Sequence, residues 1–150
     1  MSKVVIYTDG SAKGNPGNGG YGTVLISGNN TKRLSQGYTL TTNNRMELLA
    51  VIVGLETLKR ACLVTIYSDS KYVVDSVEKG WVFDWEKKGF KGKKNIDLWK
   101  RFLTVFNIHS VKFQWIKGHS GNKYNELCDK LAVEAAESSE LIDDSGYKPN

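Results

Sequence analysis

Cysteine and proline are scarce in this chain: two of each in 150 residues. Cys62 and Cys128 are too few for a disulfide framework and lack the spacing of a metal motif, so they read as a buried, reduced pair. With 40% hydrophobic and 25% charged residues, collagen-like and disordered chains are excluded. Long apolar runs are missing too. The longest, Leu48 to Val53, has six residues, against about 20 for a membrane span. The first residues run straight into strand-like sequence without an apolar signal region. The expectation is a cytoplasmic, monomeric protein of one domain, with no membrane association.

Charge is present but unevenly spread. The net charge is +5. Residues 79 to 101 carry eight basic side chains against three acidic ones, which alone accounts for that value. Residues 134 to 150 carry one lysine against five carboxylates. A basic cluster on a near-balanced body points to a polyanionic partner.

Val4 to Thr8 reads as a buried strand, and Gly10 to Gly22, with six glycines, as turn and loop. Tyr21–Ser27 and Arg33–Leu40 read as strands joined at Gly28-Asn29-Asn30. Asn43 to Arg60 is helical, with Thr41 or Thr42 as N-cap. Leu63–Tyr67 and Val111–Ile116 are further strands. Helices are expected from Ser70 to Lys79, Trp81 to Phe90, Asn95 to Phe106 and Asn122 to Ser138. This order implies an α/β fold, one mixed sheet with helices packed on it, over residues 1–138. The acidic residues 139–150 are expected to fray. Gly17-Asn18-Gly19-Gly20-Tyr21-Gly22 matches a dinucleotide fingerprint by letter only, because a strand and not a helix follows it.

Four carboxylates stand out. Asp9 and Asp69 each end an apolar strand, where turn formation or helix capping would suffice for either alone. Glu47 is different. At 100° per residue it points opposite Glu56, away from the wet side expected to hold Arg45, Glu56, Lys59 and Arg60. It shares a face with Ala50, Val51, Gly54 and Leu58, where an unpaired carboxylate is costly. Asp129 borders the apolar arc of the last helix, and a surface ion pair explains it equally well. Asp9, Asp69 and Glu47 can converge at one edge of a mixed sheet, making a group of three or four carboxylates. Clustered carboxylates repel unless divalent cations bind, and an all-oxygen set favours Mg²⁺ or Mn²⁺ over Zn²⁺.

Asp9-Gly10-Ser11 with Gly14-Asn15-Pro16-Gly17, Thr41 through Leu48, Ser68-Asp69-Ser70, and Gly118-His119-Ser120-Gly121 through Asp129 resemble, in order, the blocks of bacterial type 1 ribonuclease H. The resemblance covers almost the whole chain. It implies a five-stranded mixed sheet and two-metal endonucleolytic hydrolysis of the RNA strand of an RNA–DNA hybrid, leaving 5′-phosphate and 3′-hydroxyl ends. Asp9, Glu47, Asp69 and Asp129 match the metal-binding carboxylates, with Mg²⁺ as cofactor and Mn²⁺ as substitute. His119 matches a loop histidine tied to proton transfer or product release. Asn15, Asn43 and Asn44 match minor-groove and sugar contacts, and Thr42 and Asn95 match a DNA-phosphate pocket. Trp81, Trp85, Lys87, Lys88, Phe90 and Lys91 match a basic protrusion that grips the hybrid away from the cut.

The chain departs from the pattern at three places. Leu40 stands where many bacterial relatives have Arg. Lys71, still expected to touch substrate, stands where Gln is common. The Gly89–Asn95 segment is short, with Phe90 in place of a Trp.

Overall fold

The computed structural model describes residues 1–149. An antiparallel meander of β1 (Ser2–Ala12), β2 (Gly17–Ser27) and β3 (Asn30–Thr41) leads into α1 (Asn43–Thr57). Then follow β4 (Cys62–Ser68), α2 (Lys71–Glu78), α3 (Trp81–Lys87), α4 (Ile96–Phe106), β5 (Ser110–Trp115), α5 (Lys123–Glu137) and β6 (Leu141–Asp143). The sheet order is β5-β4-β1-β2-β3-β6, with β4 parallel to β1 and β5, and β6 parallel to β3. It is a mixed sheet as expected, with one more strand than the five implied.

That sixth strand corrects the reading of the tail. Acidity suggested fraying, yet Leu141, Ile142 and Asp143 pair with Gly37, Tyr38 and Thr39. Thr39 and Thr41 donate hydroxyl hydrogen bonds to Asp143 and Asp144. Asp143 and Asp144 are anchors, the first held by Thr39 of β3 and the second by Thr41 and Arg45. Residue 150, part of the same expected tail, lies outside the described residues.

The glycine-rich stretch is also strand and not loop, apart from the turn at residues 13–16. Its glycines serve close approach. Side chains built on Gly20, Gly22 and Gly37 would run into Ala132, Cys128 and Ala135 of α5 respectively. The helix therefore rests almost directly on β2 and β3. Gly37→Ala pushes a methyl into the Ala135 carbonyl and should cost about 1–3 kcal/mol. The melting temperature, followed by circular dichroism, should fall by several degrees; an unchanged value would remove the close-packing account.

Thr42 is the N-cap of α1, its hydroxyl accepting from the Arg45 amide. α1 is enclosed by the sheet on one side and α4 on the other, so both of its faces are buried. This overturns the placement of Arg45 on the wet side, because it is only 2% exposed. Its guanidinium donates to both carboxylate oxygens of Asp97 (2.9 and 2.8 Å) and both of Asp144 (2.7 and 2.9 Å). The two carboxylates offset the cost of burying the cation.

Candidate metal-binding active site

The parallel register of β1 and β4 pairs Thr8 with Ser68, so Asp9 and Asp69 come next at the same height. Glu47 reaches them from the second turn of α1. Gly10 makes that approach possible, since a Cβ there would lie 2.9 Å from the Glu47 Cα and closer still to its amide. One carboxylate oxygen from each of Asp9, Glu47 and Asp69 lies within 4.8 Å of the others.

Asp9 and Glu47 are both buried, each only 5% exposed. Glu47 Oε1 has no hydrogen-bond partner, and among the described residues no lysine, arginine or histidine forms an ion pair with any of the three. Burial first, then the charge of Asp69, pushes the Asp9 carboxyl up to about 8. Burial, then Asp9 and Asp69, holds Glu47 well above the usual carboxylate range. A buried, unpartnered carboxylate oxygen beside two more hard donors fits a divalent cation of the Mg²⁺ or Mn²⁺ kind.

Asp129, on α5, is half-buried and stands outside this trio, but its charge also raises Asp9. His119 is exposed in the loop after β5, at φ 55°. Its neighbour Gly118 packs on Asp69, where a Cβ would lie 2.6 Å from Oδ2. Asn125 was not foreseen as part of the site. It is 2% exposed and its amide donates to Asp69 Oδ2 at 3.3 Å. Its one sequence signal is its place four residues before Asp129, on the same helix face.

The other expected residues divide. Asn15, Thr42, Asn44 and Asn95 line one cleft. The Asn15 side-chain carbonyl accepts from the Asn43 amide, tying the β1–β2 turn to the start of α1. Lys87, Lys88 and Lys91 are exposed on and after α3, as is Trp81. Trp85 is half-buried, edge-on to Trp99. Phe90 is a correction: at 3% exposure it belongs to the core and cannot touch a ligand. Lys71 lies 4.3 Å from the ring centre of Trp115, whose indole donates to the Asp69 carbonyl.

The family model described as RNase H matches residues 1–137. The chain belongs to the RNase H family. Among curated relatives, Ribonuclease H of Rippkaea orientalis is 53% identical over 97% of this chain and 93% of its own length. Ribonuclease H of Pseudoalteromonas translucida is 53% identical over 99% of this chain and its full length. Among solved structures, LC9-RNase H1, described as a type 1 RNase H with the type 2 active-site motif, aligns with a TM-score of 0.82 at 29% identity. That alignment covers 91% of this chain and 73% of LC9-RNase H1. LC11-RNase H1 in complex with RNA/DNA hybrid aligns at 0.64 and 27% identity, covering 89% of this chain and 96% of its own. The family is one of hydrolases, so the carboxylate trio lies in a nuclease framework. No helix among the described residues is long and apolar enough to cross a membrane.

Proposed function

We propose that this chain is an endonuclease that hydrolyses the RNA strand of RNA–DNA hybrids, leaving 5′-phosphate and 3′-hydroxyl ends, and that it works as a cytoplasmic monomer. One observation carries the reading: three carboxylates converge within 4.8 Å, one of them with a buried, orphaned oxygen. Asp9, Glu47 and Asp69 would hold Mg²⁺, with Asp129 completing the set and Mn²⁺ able to substitute. Two such ions, when bound, supply an activated water and neutralise charge on the phosphate.

The chain's own residues do the rest. Asn125 fixes the Asp69 carboxylate through its amide, and Gly118 lets the loop lie against it. The exposed His119 imidazole can exchange a proton with the leaving oxygen. Asn15, Asn43 and Asn44 present amides to the minor groove, where the 2′-hydroxyl both donates and accepts. Thr42 and Asn95 face a DNA-strand phosphate, and Lys71 a phosphate near the cut. Trp81, Lys87, Lys88 and Lys91 hold the duplex at a distance, on a base formed by Trp85 and Phe90.

Labelled RNA–DNA hybrid, duplex DNA and duplex RNA, each incubated with Mg²⁺ or with EDTA, test the reading. Cleavage should be confined to hybrid RNA with Mg²⁺. Equal cutting of duplex DNA, or cutting in EDTA, would exclude it. Replacing Lys87, Lys88 and Lys91 together with Ala should raise KM and flatten its salt dependence, with kcat little changed. Each lost phosphate contact lowers the log–log slope by about 0.7–0.9. A fall confined to kcat would place these lysines at the chemistry instead.

A further inference from the structure

A cleft of about 800 Å³ opens between the start of α1, the segment entering α4 and the chain beyond β6. Thr42 and Asn95 line it, and so do Lys93, Lys94, Tyr147 and Lys148. The first two belong to the reading above; the others have no part in it. We propose that the segment after β6 is a wall of the substrate cleft, and that Lys148, with Lys93 and Lys94, supplies the positive charge that holds a DNA-strand phosphate there. The inference rests on the hybrid-nuclease reading and adds a residue and a chain segment to it.

Electrostatics require a source of charge at this place. Arg45 also lines the cleft, but its guanidinium is taken up by Asp97 and Asp144. With two carboxylates on one cation, that side of the cleft does not attract an anion. The side chain of Leu40, just before Thr41 and Thr42, is 52% exposed and offers no donor. Among the described residues, Lys93, Lys94 and Lys148 have no acidic partner within 4.0 Å. Lys93 lies 4.9 Å from the ring centre of Trp85, which leaves its charge unneutralised, and among the described residues Lys94 and Lys148 have neither an acidic nor an aromatic partner.

The position of Lys148 is built and not incidental. β6 is zipped to β3, and Asp144 is fastened by Thr41 at 2.7 Å and by Arg45. The chain then turns, the Tyr147 amide donating to the Asp144 carbonyl at 3.1 Å. Gly146 crosses directly over the Arg45–Asp97 pair, where a Cβ would lie 3.0 Å from Arg45 Nη2 and closer to Asp97. This crossing delivers residues 147 and 148 to the cleft that Lys93 and Lys94 also line. The hydroxyl of Thr42 accepts from the Arg45 amide, which leaves its proton free to donate to the same phosphate.

The test is steady-state cleavage of a hybrid by the full chain carrying Lys148→Ala, Lys148→Glu or Lys148→Arg, with Lys32→Glu on the distant β2–β3 hairpin as control. Lys148 is exposed, so melting temperatures should match the wild type. Lys148→Ala should raise KM roughly two- to fivefold and lower the salt slope by about 0.7–0.9. Charge reversal should raise KM by about tenfold. kcat should hold within about twofold, and Lys148→Arg should behave as wild type. Hybrids with one neutral methylphosphonate, moved along either strand, locate the contact. At one DNA-strand position the wild type should lose affinity while Lys148→Ala loses no more than it already has.

Unchanged KM, a loss confined to kcat, or coupling to an RNA-strand position instead would overturn the proposal. A wild type that cuts no hybrid would show the nuclease reading itself to be at fault, before any variant is compared.

Discussion

Asp9→Asn, stripped of divalent ions, should melt higher than the wild type at pH 8 and no higher at pH 4. An unfolded aspartate ionises near pH 4, whereas the folded Asp9 keeps its proton until about 8 because of burial and Asp69. Between those values the folded state binds more protons than the unfolded one, so wild-type stability falls as pH rises. Asparagine has no proton to lose and escapes the penalty. The gain should open above pH 4, reach its full size near pH 8, and amount to about 1–3 kcal/mol, or several degrees. Added Mg²⁺ should raise the melting temperature of the wild type much more than that of the variant. Cleavage of hybrid should fall by about 10³-fold or more, with hybrid binding largely kept. A variant that melts lower at pH 8, or turns over at the wild-type rate in Mg²⁺, would sink both the electrostatic and the catalytic assignment.

The second large effect belongs to the far side of α1. Asp144→Ala leaves Arg45 buried with Asp97 as its one carboxylate partner, and removes the acceptor for Thr41. Breaking one side of such a network costs about 3–5 kcal/mol, which for a chain of this size lowers the melting temperature by about 10 °C or more. Asp97→Ala should cost less, because the Asp97 side chain is 44% exposed and that of Asp144 only 9%. Urea titration orders the two. Equal losses would mean that burial does not govern the network.

The convergence of Asp9, Glu47 and Asp69 was legible in the sequence, and the reason is angular. Nine residues separate Glu47 from Glu56, which puts them on opposite faces of a helix whatever the fold. Two apolar runs each followed by Asp could be brought to one edge of a mixed sheet, although β1 continues past Asp9 to Ala12. Arg45 could not be read this way. Its partners lie 52 and 99 positions along the chain, and helical period alone assigned it to water with Glu56. The glycines between 10 and 22 resembled a loop because composition shows flexibility and not what packs nearby. The complementary signal, Ala132, Ala135 and Ala136 on the last helix, carries meaning only when the two segments are set face to face. Phe90 misled for a similar reason, since an aromatic among lysines on a surface protrusion looks the same in sequence whether it points out or in.

β6 has a consequence for the order in which the molecule assembles. The bonds that fasten it join positions about a hundred residues apart, Thr39 to Asp143 and Arg45 to Asp144 among them. During synthesis the meander and α1 leave the ribosome long before residue 144 exists, so Arg45 must wait without that partner. In the finished protein the same three-residue strand, two of its residues exposed, offers little resistance to opening. Amide hydrogens on β3 facing β6 should therefore exchange through a local excursion, well before those between β1 and β4, and each excursion briefly returns Arg45 to its nascent-chain state.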